Sequence, residues 1–256
     1  MAELQKYLYC IIPCHEDRTF DAVAVGSGDG VVRTVSHGGL AAVVSASPVK
    51  QYEGTRQNMM AHQRVLETVM REFTLLPVRF STVTDSADPV GAIQKLLSAR
   101  FKEFHGLLRE MEGKAELGLK AFWRNEKAVF EEIVAENADI RKLRNSLSGK
   151  SPEAIRFDGI PLGRLVKEAL GRKRSQEAAR ILLPLRPIAH RVRENDTLVD
   201  RAIVNAAFLV DKKREQDFDQ AIRLLDEKLS DRAAFKYVGP VPPYNFVNIV
   251  VNWDEL

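Results

Sequence analysis

Apolar residues fall into short blocks whose spacing changes along the chain, and each change predicts an element. Residues 6–13 (KYLYCIIP) are apolar on both faces and rich in aromatic and β-branched side chains, the pattern of a central strand covered on both sides. Residues 31–35 and 40–45 read as two further strands joined through Ser36, His37, Gly38 and Gly39, a hairpin signal. Over residues 55–73 the period lengthens: Met59, His62, Leu66, Val69 and Phe73 recur three or four apart, as one face of a helix requires, with Thr55 as its cap. Residues 75–83 (LLPVRFSTV) return to strand. Pro89 suits the first turn of a helix, because its missing N–H needs no partner there. That helix buries Ile93, Leu96, Leu97, Phe101, Phe104, Leu107 and Leu108, and Gly113 ends the unit. Strand, hairpin, helix, strand, helix is the order of a ferredoxin-like α+β sandwich.

The second half opens with an alternating strand at residues 117–123 and a helical pattern over 125–147. Gly149, Ser151 and Pro152 break the chain. Helices are expected at 162–170 and 176–193, the second shortened or kinked by Pro184 and Pro187. Residues 201–210 (RAIVNAAFLV) read as a strand and 218–229 as a helix. Residues 235–238 and 246–251 read as closing strands around a bend with Gly239, Pro240, Pro242 and Pro243. The fold class expected is therefore α+β with two domains, residues 1–113 and 114–256, the second carrying a helical insertion at about 125–193.

The chain has 256 residues, 45% hydrophobic and 29% charged, which is ordinary globular composition. No apolar run reaches the roughly 18 residues that span a bilayer, and MAELQKYLYC has no charged segment followed by an apolar one, so no secretory signal is expected. With only Cys10 and Cys14, a reducing cytoplasm is the expected setting. The net charge of +3 conceals an asymmetry. Residues 141–193 hold 14 Lys and Arg against 4 Asp and Glu, while the rest holds 24 basic against 31 acidic residues. The densest point is Arg172, Lys173 and Arg174, a candidate protein-docking face. The segment lacks interleaved aromatics for base stacking, so a nucleic-acid-binding regulator is the alternative and not the first reading.

The remaining candidates for chemistry are weak. GSGDG at residues 26–30 runs into the strand VVRTV and not into a helix, and it lacks the Gly-Lys-Ser/Thr ending of a phosphate loop, so it reads as a turn. Cys10, Cys14 and His15 have no second pair of ligands to close a zinc site. Cys10 lies in an apolar strand, where it acts as a small hydrophobe and not as a nucleophile. His62, on the apolar face of its helix, is expected to pack against the sheet and hydrogen-bond a neighbour. No enzyme activity, metal or cofactor is expected.

Five stretches together resemble the gas vesicle protein F/L family (GvpF/GvpL), in that family's order and over nearly the whole chain. They are KYLYCII at residues 6–12, the helix with Asn58 and His62 followed by LLPVRFSTV, ELGLKAFW at 116–123, VNAAFLVD at 204–211, and YVGPVPPYNFVNI at 237–249. The most specific is Gly-Pro-x-Pro-Pro-Tyr-x-Phe-Val at residues 239–247. Cys10 stands where the family commonly has glycine, and Val241 where it commonly has tryptophan or another bulky residue.

The resemblance implies two α+β domains, the first a variant ferredoxin-like fold. It also implies a role in building gas vesicles, as an assembly accessory protein or minor vesicle component located at the vesicle or in the cytoplasm. The implied partners are the hydrophobic shell protein (GvpA) and other accessory proteins, with no membrane partner. A shell subunit with an apolar face aggregates unless that face is covered. Candidate binding residues are Tyr244 and Phe246 in the Pro-rich bend, together with Arg172, Lys173 and Arg174.

Overall fold

The computed structural model describes residues 4–26, 30–147, 149, 151 and 159–255. The middle of the glycine-rich stretch, including Gly28, and Pro152 lie outside the described residues. The chain is mixed α/β, with two antiparallel sheets and, among the described residues, seven α-helices. It divides into two compact units, Met1–Glu116 with Gly239–Leu256, and Leu117–Val238. The last residues therefore group with the first unit, whereas a single cut near residue 113 leaves them with the second. No helix among the described residues is long and apolar enough to cross a membrane.

The first unit is built on β1 (Gln5–Pro13), whose residues Tyr7 through Ile12 are wholly buried. The other elements are β2 (Thr19–Phe20), β3 (Val32–His37), β4 (Leu40–Ser47), α1 (Arg56–Met70), β5 (Leu76–Pro77), α2 (Pro89–Ala99) and α3 (Phe101–Met111). The sheet order is β2-β3-β4-β1-β5. The β1–β4 register shifts between Leu8 and Cys10. This bulge breaks the alternation of β1, so Tyr7 and Tyr9 join Cys10 and Ile12 in the cluster that packs on Val65, Leu66 and Val69 of α1. Thr55 caps α1 by accepting from the Asn58 N–H at 3.2 Å.

Several expectations need correction. The strand expected over 75–83 pairs regularly only at Leu76 and Pro77. Pro77 offers no N–H, and Ser81 takes a positive φ of 65°. The segment then rejoins β1 as Val83 bridges Tyr7. The long helix from Pro89 breaks at Arg100, whose φ of −105° and ψ of 20° end α2 before α3 begins. Residues 246–251 form no strand and contribute a single bridge, Val78 with Ile249.

The second unit comprises most of β6 (Lys114–Trp123), α4 (Glu126–Glu136), α5 (Ala138–Leu147), α6 (Ile160–Leu182), β7 (Arg191–Glu194), β8 (Ala202–Asp211), α7 (Glu215–Leu229) and most of β9 (Ala233–Val241). Its sheet order is β7-β8-β6-β9. The helix expected over 125–147 breaks at Asn137, whose extended backbone separates α4 from α5. The two helices expected after residue 160 are one, α6, which runs through Gly171 and stops at Leu182, ahead of Pro184. Residues 191–193, read as the end of a helix, instead start a strand that pairs with β8, Arg191 opposite Leu209 and Arg193 opposite Ala207. Strand β9 runs on to Val241, so Gly239 and Pro240 lie in the strand and not in a bend.

The β3–β4 hairpin offers a test of local geometry. His37 pairs with Leu40, which leaves a two-residue loop with φ of 59° at Gly38 and 92° at Gly39. Such loops need positive φ at both central positions. Space is open around Gly38, whereas a Cβ on Gly39 would come to 2.8 Å from the His15 ring. Gly39→Ala is expected to destabilise by about 1–2 kcal/mol, and Gly38→Asn by much less, because asparagine tolerates the left-handed region. Urea unfolding of both variants, compared at unchanged slope, measures the difference.

Candidate functional site

Within the first unit the C-terminal tail builds one wall of a groove. The N–H groups of Phe246 and Val247 both return to the Pro243 carbonyl, at 3.1 and 2.9 Å, which folds the tail into a tight turn. Asn245 anchors the turn: its backbone N–H and side-chain amide donate to the two oxygens of Glu116, at 2.9 and 2.6 Å. Glu116 is almost fully buried, and these donors meet the need of a buried carboxylate for partners. Beyond the turn, Val247 and Ile249 are buried, and the Arg79 N–H donates to the Ile249 carbonyl at 3.2 Å. The tail thus lies along the edge left open by the short β5.

The groove between this tail, α1 and residues 77–80 has a volume of about 660 Å³. Met59, His62 and Gln63 line it from α1, Arg79 and Phe80 from the strand side, and Tyr244, Asn248 and Val250 from the tail. Its inner end is aromatic. His62 stacks on Tyr9 with ring centroids 5.6 Å apart and meets Phe80 edge-on at 5.7 Å. The Tyr7 hydroxyl lies 2.9 Å from His62 Nδ1 and accepts from the Ser81 N–H at 3.0 Å. The Tyr7 hydroxyl needs an acceptor for its own proton, so Tyr7 donates to Nδ1 and the proton of the imidazole sits on Nε2. Burial pushes the His62 pKa down to about 4, so the ring is neutral near pH 7.

The mouth is apolar and open. Met59, Tyr244 and Val250 expose 46%, 42% and 49% of their surfaces. Met60, adjacent in sequence to Met59, is similarly exposed. Although Tyr244 is partly open, desolvation around its hydroxyl, with Glu67 also contributing, pushes its pKa up.

The candidate residues are thus dispersed. Tyr244 lines the groove, whereas Phe246 is half-buried in the turn and is not part of the lining. Arg172, Lys173 and Arg174 lie in the second unit on α6, and only Arg172 is exposed. The Lys173 ammonium pairs with Glu132 at 2.8 Å and Glu136 at 2.9 Å. Arg174 donates to the Asp200 carbonyl at 2.9 Å and sits 6.0 Å from the Trp123 ring centre. The groove residues Met59, Gln63, Arg79 and Asn248 were not singled out by sequence. The helical period marks Met59 as buried, and nothing in PVRF marks Arg79 as facing the tail.

Among the other candidates, His62 packs and hydrogen-bonds as expected. Cys10 and Cys14 are both buried free thiols, and burial raises the Cys10 pKa. No cluster of three or more metal-ligating side chains exists among the described residues.

Comparison with known proteins gives one consistent result. A family model described as gas vesicle synthesis protein GvpL/GvpF matches residues 5–248. Gas vesicle protein F from Nostoc sp. is 28% identical, over 95% of this chain and 98% of its own. Gas vesicle protein F from a Streptomyces species is 30% identical, over 87% of this chain and 90% of its own. The crystal structure of the gas vesicle protein GvpF from Anabaena sp. superposes with a TM-score of 0.80 at 28% identity, covering 97% of this chain and all of that one.

The depressed His62 pKa has a measurable consequence. Between about 4 and the ordinary 6.5, the unfolded chain binds a proton that the folded chain refuses. The His62 contribution is therefore complete above 6.5 and is lost as the pH falls toward 4. From pH 7 to pH 5 the loss is about 2 kcal/mol. His62→Gln, which cannot titrate, is expected to show a correspondingly shallower fall in unfolding free energy over that interval.

Proposed function

Because the chain belongs to the GvpL/GvpF family of gas vesicle synthesis proteins, we propose that it is an assembly accessory protein or minor vesicle component. In this reading it binds the hydrophobic shell protein (GvpA), limits its aggregation during vesicle formation, and works with other accessory proteins in the cytoplasm and at the vesicle. The observation that carries the reading is the groove with its apolar mouth of Met59, Tyr244 and Val250. Exposed apolar surface gathered at a concave site is the form of a protein-binding surface. Methionines add adaptability, since an unbranched thioether repacks against varied partners. No catalytic role is assigned.

We further read the two compact units as two domains. In the first, setting aside the two-residue β2, the strands in chain order lie 2-3-1-4 across the sheet. This supports a variant of the ferredoxin-like sandwich in which a loop replaces the first helix. The second carries its helical insertion between its first two strands, β6 and β7.

Co-expression with the shell protein is expected to keep that protein in the soluble fraction, and deletion of this chain is expected to abolish vesicles. Tyr244→Ala should lower the amount of shell protein retained in a pull-down by about tenfold, as truncation of a binding anchor does, with an unchanged circular dichroism spectrum. Arg172→Glu on α6 should leave retention unchanged. The opposite ranking of these two variants would move the site to α6, and vesicles of normal number in the deletion strain would sink the reading.

A further inference from the structure

Two donors that line the groove, one neutral and one charged, have no protein partner among the described residues. His62 is only 4% exposed, and its Nδ1 is occupied by the Tyr7 hydroxyl. The Nε2–H that this assignment leaves has no partner among the described residues. His62 lines the groove, and its Nε2 is not sealed within protein, since the buried side-chain nitrogen without a partner is Arg174 Nε. Arg79 also lines the groove, is exposed, and its guanidinium forms no ion pair or hydrogen bond among the described residues. The Gln63 side-chain N–H is already given to Glu67 at 2.7 Å. The two carboxylates that bear on Tyr244 are thus engaged, Glu67 by Gln63 and Glu116 by Asn245. The groove therefore has an unpaired cation and a neutral donor, set among Met59, Tyr244 and Val250.

We propose that this groove takes an acidic amphipathic segment of a protein partner. A carboxylate of the segment pairs with the Arg79 guanidinium, a second oxygen accepts from His62 Nε2–H, and apolar side chains lie on Met59, Tyr244 and Val250. Charge complementarity selects this occupant. A basic segment would meet Arg79 with like charge, and a purely apolar one would cover Arg79 and the His62 donor without pairing them, which disfavours binding. A single cation in an apolar setting suits one carboxylate better than the repeated charges of a nucleic acid backbone. The inference rests on the reading of the groove as a protein-binding site and adds the chemistry of what it binds.

The test uses the full chain and two fluorescein-labelled synthetic amphipathic peptides of leucine and alanine, identical except for one central glutamate or glutamine. Fluorescence anisotropy at low salt is expected to show the glutamate peptide binding roughly fivefold tighter, a preference that weakens as salt is added. Arg79→Gln should abolish the preference. On binding, the His62 Nε2–H resonance should shift with the glutamate peptide. Equal affinities for the two peptides, or a preference that survives in Arg79→Gln, overturn the proposal. Retention of the shell protein by the same chain separates the two levels. Retention without a glutamate preference overturns this inference and leaves the wider reading standing. A glutamate preference without retention supports the inference and removes the shell protein as the partner.

Discussion

The hydroxyl of Tyr7 ties three separate segments of the first unit together. It sits on the central strand, fully buried, and a buried hydroxyl left unpaired costs about 1–3 kcal/mol. Its two partners come from different segments: the Ser81 N–H from the turn after β5 and His62 from α1. Ser81 in turn accepts the Tyr52 N–H on its own hydroxyl at 2.8 Å, and the Tyr52 hydroxyl reaches Ser47 at 3.0 Å. One phenol therefore sets the distance of α1 from the sheet and the position of the turn that follows Arg79. Both are walls of the groove, so the groove's shape is a consequence of satisfying a polar atom inside an apolar layer.

The two sheets solve a common problem in different ways. With β2 set aside, each unit places its first strand third in the order 2-3-1-4. That strand, β1 or β6, is flanked on both sides and is strongly apolar. The fourth strand is an edge in each. In the second unit it is the nine-residue β9, and Lys236 within it is the kind of charged residue that discourages a stray strand from adding to an edge. In the first unit it is the two-residue β5, too short to complete the sheet. The tail from Pro242 supplies what β5 lacks through the Val78–Ile249 bridge. The Pro-rich signature is then a structural device before it is a binding one. Pro242 and Pro243 are buried while Pro240 is exposed, the turn is locked on Glu116, and Tyr244 is left partly open.

Periodicity made the sheet centres and the long helices legible. A run such as KYLYCIIP or RAIVNAAFLV reports burial on both faces, whatever its neighbours do. Edges carry no such signal. Strand β7 reads RVRE, mostly exposed, and exists because β8 offers it hydrogen bonds. Nor does an apolar period reveal backbone breaks at ordinary residues, as at Arg100 and Asn137. The groove was legible in part. The resemblance directed attention to Tyr244, but the lining comes from residues 59–63, 77–80 and 244–250, and their proximity is a property of the sheet order. Phe246, from the same signature, turned out to belong to the turn and not to the groove.

Counting charge along the chain misjudges which charges are available. Residues 141–193 carry a large basic excess, yet two of the three cations at its densest point, Lys173 and Arg174, find partners outside that window. Lys173 pairs with Glu132 and Glu136; burial disfavours its charge, but the two carboxylates outweigh this and raise its pKa. Arg232 completes the arrangement, donating to Glu177 and Glu132 at 2.6 Å each, while the Trp123 indole N–H donates to Glu177 at 2.7 Å. The Glu177 hydrogen bond, followed by that of Glu132, holds Arg232 protonated more firmly, and the Arg232 bond holds Glu132 below the usual carboxylate range. Such partly buried charges are committed to the fold, because removing one partner strands the others. A cation can serve a partner only where the fold leaves it unpaired beside surface that a partner would bury. Arg172 is exposed but does not line the groove. Arg79 meets both, as one isolated arginine in a stretch that its composition does not distinguish.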